Sequence, residues 1–137
     1  MKLILSLLTA LPLTLAATLH AADEVGARKA ALPDFSPGAE YADDRRMHQG
    51  IPSIERARNG RLWVAWYGGG LGEDQHNFVM LATSGDDGRS WSPLKLVIDP
   101  DGSGPVRAFD PCLWHDPLGR LWFFWSQKDS ATMHNFA

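Results

Sequence analysis

The stretch GRLWVAW at residues 60–66 recurs as GRLWFFW at residues 119–125. The two copies stand 59 residues apart, and the same offset also aligns Pro52 with Pro111. These identities hold one register without a gap, and two of them are tryptophan pairs. We therefore interpret the match as an internal repeat, which is typical of architectures built from repeated structural units.

Short apolar runs separated by turn residues surround both copies of the repeat. Asn59-Gly60 is a strong hairpin signal because both residues tolerate positive φ. The sequence predicts no helix of credible length after Leu32, so we expect an all-β fold of short antiparallel hairpins. The predicted strands are residues 51–57, 61–67, 77–83, 91–98, 111–115 and 120–125.

Four strands in a repeat of roughly 40–60 residues are typical of one blade of a β-propeller. We predict a first blade at about residues 48–99 and the start of a second at about residues 106–137. A propeller closes with roughly 4–8 blades, so a blade and a half is expected to be a fragment. The alternative is a short protein that oligomerises to close the ring.

The N-terminal residues 1–22 read as a secretory signal peptide: Lys2, then an apolar run, then the small residues Ala21 and Ala22. An uncleaved anchor is the alternative. Residues 23–47 are expected to form an irregular lead-in, in which one helical turn over residues 27–32 is stopped by Pro33. The expected location is secreted or periplasmic, with no membrane contact after cleavage.

The composition is that of a globular chain: of 137 residues, 45% are apolar and 21% charged. A net charge of −3 argues against a nucleic-acid partner. Cys112 is the single cysteine, so no internal disulfide forms, and we expect it to fill space in a strand core.

The segment from Ser84 to Trp91 has the pattern Ser-x-Asp-x-Gly-x-Ser-Trp. Ser84 and Asp86 can accept backbone hydrogen bonds in a tight turn, while Gly88 supplies a conformation that other residues resist. Ser90 completes the pattern, and Trp91 is expected to pack between sheets. The motif resembles the Asp box, or BNR repeat, of the sialidase superfamily, in which it is structural and lies away from the active site.

The resemblance implies a six-bladed sialidase-type propeller and assigns candidate site residues. Asp74 is the implied acid/base residue and Glu73 the second candidate; Asp110 matches the Asp-Pro that opens the family's next blade near the substrate pocket. The family's first strand opens with Arg-Ile-Pro, whereas Gly50 replaces that arginine here. The tyrosine nucleophile of the family would lie beyond residue 137.

Each candidate also has a plainer interpretation. Glu73 and Asp74 belong to an acidic loop that is either catalytic or simply solvated. Arg107 is either a clamp for an anion or hydroxyl group, in place of the missing arginine, or a surface residue. Asp110 either caps a turn or lines the pocket.

Two further ligand types are not expected. The histidines, His48, His76 and His115, lack the spacing of metal ligands, so we expect neither a metal nor a cofactor. The repeated tryptophans are expected to form blade core rather than a sugar-stacking surface; they are Trp63, Trp66, Trp114, Trp122 and Trp125.

Two functions follow from this reading. The first is an exo-glycosidase of the sialidase type that acts on a glycan or glycoconjugate; we expect the chain of 137 residues by itself to be inactive. The second is a non-catalytic propeller that binds glycans or serves as a scaffold.

Overall fold

The computed structural model describes residues 29–100, 105–129 and 133–137, and within them the chain forms two antiparallel sheets. The all-β expectation is confirmed. The first sheet holds β1 (Gln49–Arg56), β2 (Leu62–Gly68), β3 (Phe78–Ser84) and β4 (Leu96–Ile98) in sequence order. The second sheet holds β5 (Arg107–His115), β6 (Leu121–Lys128) and β7 (Met133–Phe136), also in sequence order.

Two short 3₁₀ turns, Ala39–Tyr41 and Asp43–Arg45, precede the first sheet. The predicted signal peptide lies outside the described residues. Of the helical turn expected over residues 27–32, the described part is not helical. The backbone N–H of Ala31 instead donates to Oε1 of Gln127 at 2.9 Å, so a long-range bond replaces the local one.

The strand predicted over residues 91–98 is shorter in the structure, where β4 begins at Leu96. Pro93 has no N–H to contribute to a ladder. Residues near it still make isolated hydrogen bonds to β3. The N–H of Ser92 donates to the carbonyl of Thr83, and the N–H of Lys95 donates to the carbonyl of Leu81. The segment before β4 is therefore an irregular edge rather than a strand.

The two copies of the repeat form hairpins with the same register. Ser53 pairs with Ala65 in the first hairpin, and Cys112 pairs with Phe124 at the equivalent place in the second. Each ladder is interrupted by a bulge one step earlier, between Gly50 and Ser53 and between Phe109 and Cys112. The offset of 59 residues seen in the sequence is thus also a structural repeat.

The turns at the tips of these hairpins are also equivalent. The N–H of Gly60 donates to the carbonyl of Ala57, and Gly119 makes the same bond to Asp116, both at 2.9 Å. Gly60 and Gly119 have φ of 87° and 82°, a conformation that glycine adopts without strain. The hairpin predicted from Asn59-Gly60 is therefore confirmed.

The main core lies where the two sheets face each other. β2 and β3 contribute alternate residues, such as Tyr67 and Val79, because successive side chains of a strand point to opposite faces. The second sheet contributes Ala108, Leu113 and Trp125 from β5 and β6. We call these two opposed surfaces the inner faces and the surfaces turned away from them the outer faces.

The lead-in covers part of the outer face of the first sheet. Tyr41 packs edge-on against Phe78 with ring centroids 4.9 Å apart, and Arg46 lies over the ring of Trp66. Asp34 forms a β-bridge with Val97, so the lead-in is also joined to β4. The described part of residues 23–47 is irregular, as predicted, but it is tied to the sheet.

Four apolar residues expected in the core are exposed in the structure. Trp114 is 48% exposed, Trp122 37% and Trp91 43%, and Cys112 is also exposed. Trp114, Trp122 and Cys112 lie on the outer face of the second sheet, and Trp91 borders the outer face of the first. The prediction that Trp91 packs between the sheets is therefore wrong, and so is the prediction that Cys112 fills space in the core. Trp63, Trp66 and Trp125 do pack against buried apolar residues.

Candidate functional site

The acidic loop and the Ser84–Trp91 turn lie at opposite ends of the first sheet. Gly68 pairs with Phe78 at the end of β2, where the loop of residues 69–77 begins. At the other end of the same two strands, Leu62 pairs with Ser84. The first strand of the second sheet starts at Arg107, and the N–H of Ala108 donates to the carbonyl of Asn77 at 2.9 Å, so Arg107 lies at the end that carries the acidic loop.

Arg107 brings a positive charge to this end of the sheet and is only 9% exposed. Its guanidinium carbon lies 4.3 Å from the ring centroid of Phe109, and its Nη2 is 3.6 Å from Oε2 of Glu73. A guanidinium held against an aromatic ring and a carboxylate has few free rotamers. The structure therefore brings Arg107 and Glu73 together and shows that Arg107 is not a loose surface side chain.

Tyr67 holds the other oxygen of Glu73. Its hydroxyl donates to Oε1 of Glu73 at 2.6 Å. Burial, followed by this hydrogen bond, raises the pKa of Tyr67 to about 12. The same hydrogen bond, together with Arg107, lowers the pKa of Glu73. Glu73 is consequently an ionised carboxylate at neutral pH, held between a phenol and a guanidinium.

Asn77 joins the loop to Arg107. Its buried amide donates to the carbonyls of Gly69 and Gly72, both at 2.9 Å. Its Oδ1 accepts the N–H of Asp74 at 2.9 Å and Nη1 of Arg107 at 3.3 Å. One side chain thereby fixes the shape of the loop and the position of the guanidinium.

Asp74 is bonded to the backbone of its own loop. Oδ1 accepts the N–H of His76 at 2.8 Å, and Oδ2 accepts the N–H of Leu71 at 3.1 Å. Burial acts to raise the pKa of Asp74, but the backbone N–H groups outweigh it and lower the pKa below its ordinary value. A Cβ at Gly70 would collide with this carboxylate. The geometry is that of a carboxylate that shapes a loop.

A cavity of about 290 Å³ opens beside these groups. Glu73, Asp74 and Arg107 all line it, so three of the four predicted site residues share one space. Asp110 does not; it is exposed at the bulge of β5 and lines a separate cavity of about 380 Å³ on the far side of the second sheet. The remaining walls of the first cavity are Gln75, Pro105, Lys128 and Asp129.

Gly50 lies in β1 close to Tyr67 and His48. A Cβ at this position would lie 3.3 Å from Oη of Tyr67 and 3.4 Å from Nε2 of His48. The phenol and the imidazole therefore occupy the space that a larger side chain would need. In this chain the guanidinium of the site comes from Arg107, on the next repeat.

Tyr67 and Asn77 were missed by the sequence reasoning. Both flank the glycine-rich loop, one at the end of β2 and the other just before β3. An asparagine that closes a loop containing several glycines is a signal for hydrogen bonding of its side chain to the loop backbone. Tyr67 gave no such signal, since its alternation with Trp63 and Ala65 marks it only as a core residue.

The Ser84–Trp91 turn has the bonds that its pattern predicts. Ser84 Oγ accepts the N–H of Gly88 at 2.9 Å, and Oδ1 of Asp86 accepts the N–H of Ser90 at 2.9 Å. The hydroxyl of Ser90 donates to Oδ2 of Asp86 at 2.6 Å. The two bonds from Ser90, together with one that the Ser84 hydroxyl donates to Oδ1 of Asp86 at 2.8 Å, lower the pKa of Asp86 to about 2. Its carboxylate is therefore engaged in the turn.

Within the described ranges, no group of three or more His, Cys, Asp and Glu side chains is placed to hold a metal ion. In the same part of the chain no helix is long and apolar enough to cross a bilayer. Comparison with known proteins finds no family model that matches the chain and no curated protein that matches it.

Proposed function

We propose that this chain forms the first blade and the start of the second of a sialidase-like propeller, whose full-length form is an exported exo-glycosidase. The observation that carries the proposal is the equal register of the two hairpins, combined with the Asp-box turn at the end opposite the acidic loop. A propeller repeats one antiparallel sheet in this way and keeps its binding loops at one end. The substrate is a glycan or glycoconjugate.

Arg107 is the proposed contact for a carboxylate or hydroxyl group of the sugar. Its guanidinium lines the cavity and is already oriented by Asn77 and Phe109. A preorganised guanidinium binds a planar anion with two parallel hydrogen bonds. An anionic sugar can compete with Glu73 for it, because the Glu73 contact is a single long one at 3.6 Å.

Glu73 is the better placed of the two candidate carboxylates for proton transfer, since each oxygen of Asp74 already accepts a backbone N–H of its own loop. The lowered pKa of Glu73 keeps its carboxylate deprotonated, and so able to accept a proton, in the free protein. A sugar that covers Glu73 and takes over Arg107 would raise that pKa towards the range of an acid. The tyrosine nucleophile of the resembled family belongs to the remaining blades in this proposal.

The test is a comparison of Glu73→Gln and Asp74→Asn in the full-length protein, assayed on fluorogenic glycosides that include a sialoside. We expect Glu73→Gln to lower kcat by about 100-fold or more, because general acid–base catalysis contributes about 10²–10⁴-fold. Asp74→Asn should lower stability and change KM through the loop. Undiminished kcat in Glu73→Gln would remove the proton-transfer role, and the chain of 137 residues alone should show no turnover.

A non-catalytic glycan-binding propeller is the second candidate, and one observation favours it. Both acidic residues of the site have lowered pKa values, which is the opposite of what a resting general acid requires. Binding of a glycan to the full-length protein, without hydrolysis of any tested glycoside and with loss of binding in Arg107→Gln, would select this candidate.

A further inference from the structure

His48 and Arg107 occupy equivalent positions of the repeat, 59 residues apart. Arg107 pairs with Lys128 where the second hairpin begins. Gly69 is the equivalent of Lys128 in the first hairpin, and its N–H donates to the carbonyl of His48 at 3.0 Å. Each hairpin therefore begins with a basic side chain, at the end of the sheets that carries the acidic loop.

The imidazole of His48 lies beside the ring of Tyr67, with the two centroids 5.7 Å apart. Oη of Tyr67 and Nε2 of His48 border the same small space, since a Cβ on Gly50 would lie 3.3 Å from the first atom and 3.4 Å from the second. The Tyr67 hydroxyl in turn donates to Oε1 of Glu73 at 2.6 Å. His48 thus reaches the carboxylate of Glu73 through one intervening side chain.

The charge of His48 acts on Glu73 in the same sense as the charge of Arg107. The hydrogen bond from Tyr67 is the largest cause that lowers the pKa of Glu73, and the positive charges of Arg107 and His48 lower it further. A guanidinium keeps its charge at every physiological pH, whereas an imidazole is a group that can lose it. Glu73 is therefore influenced by one permanent and one variable positive charge, and each comes from a different sheet.

Nε2 of His48 is buried and makes no hydrogen bond within the part of the chain that the structure describes. Buried polar atoms without a partner are rare in native proteins, and a catalytic role is one of the reasons for which they occur. No structural bond therefore fixes whether this nitrogen carries a proton. The backbone of His48 is held in place, by contrast, through its bond to Gly69 at the start of the acidic loop.

We propose that His48 is a positioning residue of the candidate site, and that its charge controls how readily Glu73 takes up a proton. The proposal rests on the proposed function, in which Glu73 transfers the proton. While the imidazole is protonated, it holds Glu73 in the ionised form after a sugar has taken over Arg107. Once the imidazole is neutral, Glu73 takes a proton from water more readily and can deliver it to the leaving oxygen. His48 itself neither contacts the sugar nor forms a bond to it.

The neighbours of this network make the imidazole the group that changes charge near neutral pH. Burial raises the pKa of Tyr67 to about 12, so its phenol stays protonated. Among the described residues, β5 adds the charges of Arg107 and Asp110, which act on Tyr67 in opposite senses. The guanidinium keeps its proton throughout. A charge that varies around neutral pH is therefore expected from His48.

The test is a carbon-13 NMR titration of the Glu73 carboxyl in the full-length protein, with its signal identified by its loss in Glu73→Gln. His48→Gln keeps a polar side chain that cannot take up charge, so we expect the pKa of Glu73 to rise. The rise should shrink in about 1 M salt, where the screening length is about 3 Å. His76→Gln is the matched control: the charge of His76 acts on Asp74, so the Glu73 titration should stay in place.

His48→Arg places at this position the residue that the second repeat has there, with a permanent charge. We expect the pKa of Glu73 to stay at least as low as in the unaltered protein. On a glycoside that the unaltered protein hydrolyses, the limb of the kcat/KM profile that Glu73 controls should move to lower pH in His48→Arg and to higher pH in His48→Gln. Damage to the fold would not move the two variants in opposite directions, and near-ultraviolet circular dichroism checks that both are folded.

The outcomes separate this proposal from the proposed function. An unchanged Glu73 titration in His48→Gln would overturn the role of His48, whether or not the protein hydrolyses glycosides. A shift in the same direction in His48→Gln and His48→Arg would overturn it too, because charge would then not be the cause. A shifted titration in a protein that hydrolyses none of the tested glycosides would support the coupling of His48 to Glu73 and contradict the proposed hydrolysis.

Discussion

Ile51 and Asp110 hold the same left-handed backbone conformation, with φ of 42° and 46°, at positions one repeat apart. Each directly precedes a proline and lies in the bulge of its strand. Aspartate tolerates this conformation because its short side chain can bond locally, whereas a β-branched side chain is strained there. Both copies of the repeat thus have a positive φ at this position, although the conformation suits Asp110 and not Ile51.

Replacing Ile51 with Asn should stabilise the protein by about 1 kcal/mol, because strain of this kind costs roughly 1–3 kcal/mol and some apolar contact is lost in exchange. Urea denaturation of both forms measures the change in the free energy of unfolding. The reciprocal substitution Asp110→Ile should destabilise by a similar amount. A neutral result for both would show that the bulge carries no strain.

Alanine at Gly60 and at Gly119 should destabilise by about 1 kcal/mol each, because both glycines have positive φ in the same turn. Space does not limit either site, since nothing lies within 4 Å of an added Cβ. Gly72→Ala is the matched control: it is equally open and has no positive φ, so it should be neutral or slightly stabilising. Thermal denaturation of the three variants separates conformation from crowding.

Asn77→Ala should destabilise by about 2–3 kcal/mol, since it leaves buried backbone groups of the loop without partners. Hydrogen exchange should rise most at the N–H of Asp74, which loses its acceptor. Asn77→Asp keeps the acceptor oxygen and loses the donor, so it should restore protection at Asp74 but not the full stability. Equal exchange in both variants would contradict this assignment.

Tyr67→Phe should cost about 1 kcal/mol and raise the pKa of Glu73, because the hydroxyl that donates to its carboxylate is removed. Carbon-13 NMR titration of the Glu73 carboxyl measures the pKa. Tyr41→Phe is the matched control, since its hydroxyl makes a longer bond of 3.3 Å to Asp99. It should leave the Glu73 titration unchanged, and a change there would point to a general effect on the fold.

The Ser84–Trp91 turn should lose its electrostatic contribution to stability in acid. The pKa of Asp86 is about 2 in the folded protein and about 3.9 in an unfolded chain. Its folded pKa is lowered, so its contribution is present above about pH 4 and is lost as the pH falls towards 2. Asp86→Asn should be less stable at pH 7 and show a shallower loss between pH 5 and 2, measured by urea denaturation. If the free energy of unfolding fell equally steeply with pH in both proteins, the loss of stability in acid would come from other carboxylates.

The repeat and its turns could be predicted because each depends on neighbouring residues. Gly60 and Gly119 mark their turns through backbone conformation, and the alternation from Leu62 to Tyr67 marks a strand with two apolar faces. The start of β4 was placed too early, since Trp91 looks like a strand residue although Pro93 interrupts the ladder. Local chemistry therefore determines where the strands lie more reliably than where they end.

The burial of the aromatic residues could not be predicted in the same way. Trp63 and Trp122 occupy equivalent positions in the repeat, yet one packs against the core and the other is 37% exposed. Their sequence contexts are almost the same; the difference is which sheet lies opposite each face. The network of Tyr67, Glu73 and Arg107 was missed in part for a related reason, because Arg107 belongs to the second sheet and only the packing of the two sheets brings it to the other two.

Gln127 joins the second sheet to the lead-in through the carbonyl of Lys29 at 3.0 Å and the N–H of Ala31 at 2.9 Å. These partners stand 98 and 96 residues away along the chain. Because synthesis runs from the N-terminus, residues 29–31 leave the ribosome long before the side chain that fixes them exists. Residues 29–31 therefore reach their place in the fold only after β6 has been synthesised.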